Sequence, residues 1–172
     1  MKKMNKKSLL LIILFLLLVT GCSTKVEVEL NKKYNTKNLD YITCTRNTET
    51  TDNSSVDINI DVYYNSDNYI EILKSKEIVT SNDSNVLKQY KEAYENVYSV
   101  YSDLEYYDNK VTLKNNTVTS TTYINYGKID MDKLMKIEGS EDNVKVTDGK
   151  IKLNDWKSFA KKYGTECQNG NA

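Results

Sequence analysis

Apolar positions follow three rhythms along this chain, and each predicts a different element. From Leu9 to Val19 the apolar run is unbroken. Between Leu39 and Thr80, and again between Leu104 and Tyr126, apolar and polar residues tend to alternate, the period of a half-buried strand. Between Ser84 and Val100, and between Asn154 and Gly164, apolar residues recur every three or four positions, the period of a helix with one buried face.

The alternating stretches divide into five strands. Tyr41-Ile42-Thr43-Cys44-Thr45 opens the first, and the turn-forming Thr51-Asp52-Asn53-Ser54-Ser55 closes it. The second is the cleanest, with Val56, Ile58, Ile60, Val62 and Tyr64 on one face and Asp57, Asn59 and Asp61 on the other. Asn65-Ser66-Asp67-Asn68 turns the chain into a third strand over 69–80, and the three read as consecutive antiparallel strands. A second hairpin over 104–114 and 117–126 turns at Asn115-Asn116, since Asn tolerates the positive φ of a two-residue turn. Its second strand puts Val118, Ser120, Thr122, Ile124 and Tyr126 on one face.

The helices are bounded by caps and stops. Ser81-Asn82-Asp83-Ser84 offers several N-caps, and Val86, Tyr90, Ala93, Val97 and Val100 form the predicted sheet-facing stripe. Asp130 caps a short helix through Leu134 and Met135. In the last helix Asn154 is the expected cap, Trp156, Phe159, Ala160 and Tyr163 the buried stripe, and Gly164 the stop. Residues 138–149 read as acidic loop. Strands, helix, strands and helix predict an α+β domain: an antiparallel sheet of about five strands with a central and a C-terminal helix packed on it.

The unbroken run belongs to something else. It follows Lys2, Lys3, Lys6 and Lys7, with no acidic residue nearby. As a helix, Leu9–Val19 spans about 16 Å, roughly half the hydrocarbon core of a bilayer. That suits a secretory h-region better than a membrane span. Leu18-Val19-Thr20-Gly21-Cys22 then resembles the lipobox of bacterial lipoproteins. The resemblance implies cleavage between Gly21 and Cys22 and a diacylglycerol on the Cys22 thiol, carrying chains such as palmitate. Two acyl chains, at about 0.8 kcal/mol per buried CH₂, suffice for stable anchoring. An ordinary signal peptide with an incidental cysteine and an uncleaved single-span anchor are the alternatives. The expected organisation is a signal peptide over 1–21, lipidated cysteine and polar tether over 22–38, one domain over 39–168 and a flexible tail over 169–172. Within the tether, Val26-Glu27-Val28-Glu29-Leu30 alternates and suits a short strand. The protein is thus expected on the extracytoplasmic face of the cell membrane.

Composition narrows the chemistry. The signal holds four of the 24 basic residues and none of the 24 acidic ones, so the mature chain carries a net charge of about −4. No basic block points to nucleic acid. Histidine is absent, which removes His bases, Ser-His and Cys-His nucleophiles and His-bearing metal sites. With Cys22 assigned to lipid, Cys44 and Cys167 are an even pair in an exported chain, so a disulfide is expected, with two free thiols as the alternative. No CxxC motif suggests redox catalysis.

The layout resembles the YehR-like group of small bacterial lipoproteins across 39–167. The resemblance rests on Ile42-Thr43-Cys44-Thr45, the Tyr-bearing central helix, Thr121-Thr122-Tyr123-Ile124-Asn125-Tyr126 leading into Asp130-Met131-Asp132-Lys133-Leu134, and Cys167 after a helix. It implies the fold and the lipid anchor, and it carries over no active site.

For function, no catalytic residue, metal ligand or cofactor beyond the covalent diacylglycerol is expected. Tyrosine is abundant. The helical set around Tyr90 reads as core, whereas Tyr63, Tyr106 and Tyr107 are expected to be exposed and to form a ligand surface, since a ring packs while its hydroxyl hydrogen-bonds. Asp57, Asp61 and Asp67 read as solvated positions; no segment has EF-hand spacing. The favoured reading is a lipid-anchored, non-enzymatic domain that binds a ligand, another envelope protein or glycan. The alternative is a small carboxylate-dependent hydrolase of cell-envelope polymer.

Overall fold

The computed structural model describes residues 29–50, 54–139 and 144–170. The predicted signal and lipobox, including Gly21 and Cys22, lie outside the described residues, as do Asp52 and Asn53. The chain falls into two units, Met1–Asn35 and Thr36–Ala172. In the first, residues 29–33 form a helical turn rather than the end of a strand, with the Tyr34 N–H donating to the Leu30 carbonyl at 2.8 Å. Among the described residues no helix is long and apolar enough to cross a membrane.

The second unit is the predicted α+β domain. Three long strands come first: β1 (Asp40–Glu49), β2 (Ser55–Tyr64) and β3 (Ile70–Thr80). Helix α1 (Ser84–Ser99) leads to the hairpin β4 (Tyr107–Lys114) and β5 (Thr117–Asn125). Then come α2 (Met131–Glu138), the two-residue strands β6 (Val146–Thr147) and β7 (Lys150–Ile151), α3 (Leu153–Lys162) and β8 (Glu166–Asn169). The main sheet is antiparallel throughout, in the order β4-β5-β3-β2-β1-β8. It has six strands, one more than the alternation predicts. The extra one, β8, is a short edge strand whose residues show no apolar alternation; pairing with β1 orders it. Asn169 faces Ile42 across that pair, so the ordered chain runs beyond residue 168.

Local chemistry accounts for most boundaries. Asn65 Oδ1 accepts from the N–H groups of Asp67 and Tyr69 at 3.0 and 3.1 Å, and Asn68 takes φ 60°. Asn115 takes φ 55° at the second hairpin. Asp83 caps α1 through Asn85 N–H at 2.7 Å, and Asp130 caps α2 through Lys133 N–H at 2.9 Å. Gly164, at φ 72°, stops α3.

Two expectations need correction. Asn154 does not cap α3; the cap position is Lys152, and no side chain bonds there. The helix starts early because Lys152 bridges Tyr69 and the Leu153 N–H donates to the Asn68 carbonyl at 2.9 Å, which docks its first turn on the β2–β3 connection. The stretch before it is not all loop either: β6 and β7 form a hairpin turning at Asp148-Gly149, φ 51° and 69°. An Asp-Gly pair is the composition such a turn favours.

The largest correction concerns α1. Ala93 is exposed, and Val97 and Val100 are 59% and 58% exposed. The stripe that meets the sheet is Leu87, Tyr90, Tyr94, Tyr98 and, just past the helix, Tyr101. At 3.6 residues per turn, the two stripes differ by roughly 80° of rotation. A tyrosine ring covers far more apolar area than a valine or an alanine, so turning the rings inward removes more surface from water.

Register divides the sheet into two faces. The core face carries Ile42 and Cys44 of β1, Ile60 and Val62 of β2, Leu73 of β3 and Ile124 of β5. Helices α2 and α3 contribute to that core through Leu134 and Trp156, and Leu87 of α1 packs with Val79 and Val118 in a second cluster. The far face carries a polar row, Thr43, Asp61, Lys74, Tyr123 and Asp108, one residue from each of five strands.

Candidate functional site

Helices α1 and α3 descend on the core face at opposite ends of the sheet. Helix α1 contacts β3, β5 and β4, whereas α3 contacts β8. Between them a cleft of about 560 Å³ remains, within the size range of small-molecule sites. Its floor is Ile60, Leu73 and Ile124, with the hydroxyls of Ser75 and Thr122. One wall is the α1 end of the domain, with Tyr98, Tyr101 and Tyr107. The other is α3, with Trp156, Phe159 and Tyr163, because spacings of three, four and seven place these rings on one helical face. Tyr126, Glu138 and Val144 complete the lining from the chain around α2.

The tyrosine wall is built ring against ring. Tyr101 and Tyr107 stack with centroids 4.4 Å apart and planes 5° from parallel. Tyr98 lies 6.5 Å from each. The same three rings also line a second cavity of about 380 Å³, toward Asp108 and Asn109. Each ring therefore has a cavity to border while the stack fixes its orientation.

Polar groups beneath the wall are mutually satisfied. The Tyr98 hydroxyl donates to Glu77 Oε1 at 3.0 Å. Asn109 Nδ2 donates to Ser120 Oγ at 3.0 Å and to Thr122 Oγ1 at 2.8 Å. Among the described residues no buried side-chain polar atom lacks a partner, as expected where desolvation makes an orphan group expensive.

These surroundings keep the rings neutral. Burial, then the Glu77 carboxylate, pushes the Tyr98 hydroxyl up to about 12, against bonds from Thr122 and Ser120 that act the other way. Burial raises Tyr107, helped by Tyr98, Tyr101, Tyr126 and the Glu138 carboxylate. Tyr126 and Tyr101 are raised first by burial and next by Glu138. The negative charge of Glu138 is thus felt by three rings that line the cleft.

The tyrosines and aspartates singled out from sequence do not form one site. Tyr63 lies on the far face, stacked on Tyr41 at 5.5 Å with Lys74 Nζ 5.1 Å from its ring. Tyr106 takes φ 68° in the turn before β4, with Lys128 Nζ 5.5 Å from its ring. Tyr107 is in the cleft wall. All three are half-buried rather than exposed, because rings and lysine stems cover them. Asp61 accepts from Thr43 Oγ1 at 2.8 Å and Asp57 accepts from Asn47 Nδ2, both on the far face. Among the described residues no group of three or more Cys, Asp or Glu is placed to hold a metal ion.

Cys44 and Cys167 face each other across β1 and β8 and are joined by a disulfide, with Cα atoms 4.0 Å apart. The bond fixes the edge of the sheet under α3, hence that side of the cleft.

Single-residue reading missed Tyr98, Tyr101 and Tyr126 as cleft residues. The signal was present in the spacing: tyrosines at 90, 94, 98 and 101 keep one helical face.

No family model and no curated protein matches this sequence. Among solved structures, the NMR structure of the E. coli YehR protein aligns with a TM-score of 0.54 over 78% of this chain and 94% of YehR, at 13% identity. At that identity the likeness concerns the fold and carries no residue roles. In its antiparallel sheet and helices, the chain has the fold of the E. coli YehR protein.

Proposed function

We propose that this protein is a lipid-anchored extracytoplasmic domain, held to the membrane by a diacylglycerol on Cys22, that binds a ligand in the aromatic cleft and performs no chemistry on it. The cleft carries this reading: a cavity of about 560 Å³ lined by seven aromatic rings, with Glu138 the one carboxylate among its described lining residues. A hydrolase of envelope polymer needs two carboxylates about 5–9.5 Å apart across the bond, and the described lining offers no such pair. The Cys44–Cys167 bond suits an oxidising compartment outside the cytoplasm.

Two experiments test the two halves. A palmitate analogue is expected to label the protein in cells and to fail on Cys22→Ala; equal labelling of both removes the anchor. A photo-crosslinking amino acid at Tyr163, on the exposed rim of the cleft, is expected to capture a ligand in intact cells. The same group at Asn59, on the far face, is expected to capture none. Equal capture from both positions overturns the cleft as the binding site.

A further inference from the structure

We propose that the cleft takes a quaternary ammonium group, held among its aromatic rings with Glu138 as counter-charge. This rests on the reading of the cleft as a binding site and names its ligand class.

Three observations lead there. First, Tyr98, Tyr101 and Tyr107 line the same cavity as Trp156, Phe159 and Tyr163, with Tyr101 and Tyr107 each covering one face of the other. The face of an aromatic ring is its negative side, and several faces around one space form the usual environment for a desolvated organic cation. Second, the charge is one-sided. Among the described lining residues there is no Lys or Arg, while Glu138 is one of them. Arg46, which reaches Tyr163, gives its guanidinium to the Tyr163 carbonyl at 2.9 Å. The influence of Glu138 on Tyr101, Tyr107 and Tyr126 places negative potential along the tyrosine wall.

Third, hydrogen-bonding groups of the floor and wall are already engaged. Thr122 Oγ1 accepts from Asn109, and the Tyr98 hydroxyl donates to Glu77. A sugar or a primary amine brings several donors that must each find an acceptor or lose a bond to water. A fully methylated ammonium has no N–H donor, so it leaves none unpaired. Its charge is spread over methyl groups that pack on rings. The same lining would accept a neutral apolar group of that shape by burial alone, so the charge is what the test must isolate.

Trp156 is the only tryptophan in the chain and lines the cleft, which gives a local reporter. Trp156 emission of the full-length protein in a nonionic maltoside micelle is titrated with choline, with the neutral isostere of choline in which carbon replaces nitrogen, and with glycerophosphocholine. A neutral oligosaccharide serves as the comparison ligand. Choline is expected to change the emission saturably and to bind about tenfold more tightly than its neutral isostere. Glu138→Gln, a change on an exposed side chain, is expected to lower choline affinity several-fold and leave the isostere unaffected. Glycerophosphocholine separates the sources: tighter binding than choline assigns a lipid headgroup, weaker binding a free solute.

Equal affinity for choline and its isostere, or an unchanged preference in Glu138→Gln, overturns the cation proposal but keeps a ligand-binding cleft. A response to the oligosaccharide alone overturns the proposal in favour of glycan. Silence of Trp156 toward every probe overturns the proposal, whereas the cleft reading then falls if the Tyr163 crosslinker captures nothing or no more than the one at Asn59.

Discussion

The two faces of the main sheet use tyrosine in opposite ways. On the core face Tyr107 stacks on Tyr101, while Tyr98 reaches the sheet and places its hydroxyl on Glu77, so the rings there border a cavity and stay neutral. On the far face Tyr63 lies beside Tyr41 under the Lys74 side chain, next to the row that holds Thr43, Asp61 and Asp108. There ring and lysine both feel burial: it raises the Tyr63 hydroxyl, helped by Asp61 and Tyr41, and it lowers the proton affinity of Lys74, part of which Asp61 restores. Residue type therefore does not tell which tyrosines make a site. What distinguishes them is whether helices stand on that face and leave a gap.

The strongest way to break this contrast is to unfasten the core face at its edge. Cys44→Ala with Cys167→Ala removes a bond spanning 123 residues. Loop-closure entropy sets the loss at up to about 5 kcal/mol. It is expected as a lower urea midpoint than that of the oxidised protein, and a midpoint within error of it would remove the staple from the account. Next, Ile42→Ala empties a fully buried core-face position and is expected to cost about 2–5 kcal/mol. Asn59→Ala on the far face is expected to change stability by less than about 0.5 kcal/mol. Equal shifts in urea denaturation would erase the distinction between the faces.

A third effect depends on pH. A tyrosine whose pKa is raised by folding adds stability that is fully present below its ordinary value of 10.0 and is lost as pH rises through its folded value. For Tyr98 that window runs from about 10 to about 12. Tyr94, Tyr107 and Tyr126 are raised as well, all primarily by burial. Ultraviolet titration is expected to show a group of tyrosines ionising late and together with loss of the fold; independent ionisation with the fold intact contradicts it. The smallest effect lies on the outer side of α1, where Lys91 and Glu95 form an ion pair at 2.6 Å. Being solvent-screened, it is expected to contribute about 0.3 kcal/mol, so Lys91→Ala should barely move the urea midpoint.

Much of the scaffold was legible in the sequence because it is written locally. The alternation from Val56 to Tyr64 fixes which face of β2 turns inward, and Asp130 and Gly164 mark helix ends through bonds within a few residues. What escaped depends on partners distant in sequence. β8 becomes a strand because Cys44 and its neighbours lie beside it. Helix α3 starts at Leu153 because Asn68 offers a carbonyl. The rotation of α1 was a choice between two stripes sharing Tyr90, and only the sheet decides it: Glu77, Ser120 and Thr122 on the core face supply partners for a tyrosine hydroxyl, which valines cannot use. The cleft is furthest from the sequence, since a cavity is defined by where two helices fail to meet.

The staple between first and last strands also has a mechanical consequence. If the chain is pulled from both ends, the covalent path enters at residue 44, crosses the sulfur–sulfur bond and leaves at residue 167. The intervening 45–166 hang from that path as an unloaded loop. A single-molecule stretching trace of the oxidised protein should lack the extension of those residues and regain it on reduction. Tension applied to the two ends of the oxidised chain can thus pass through the protein while its cleft stays slack.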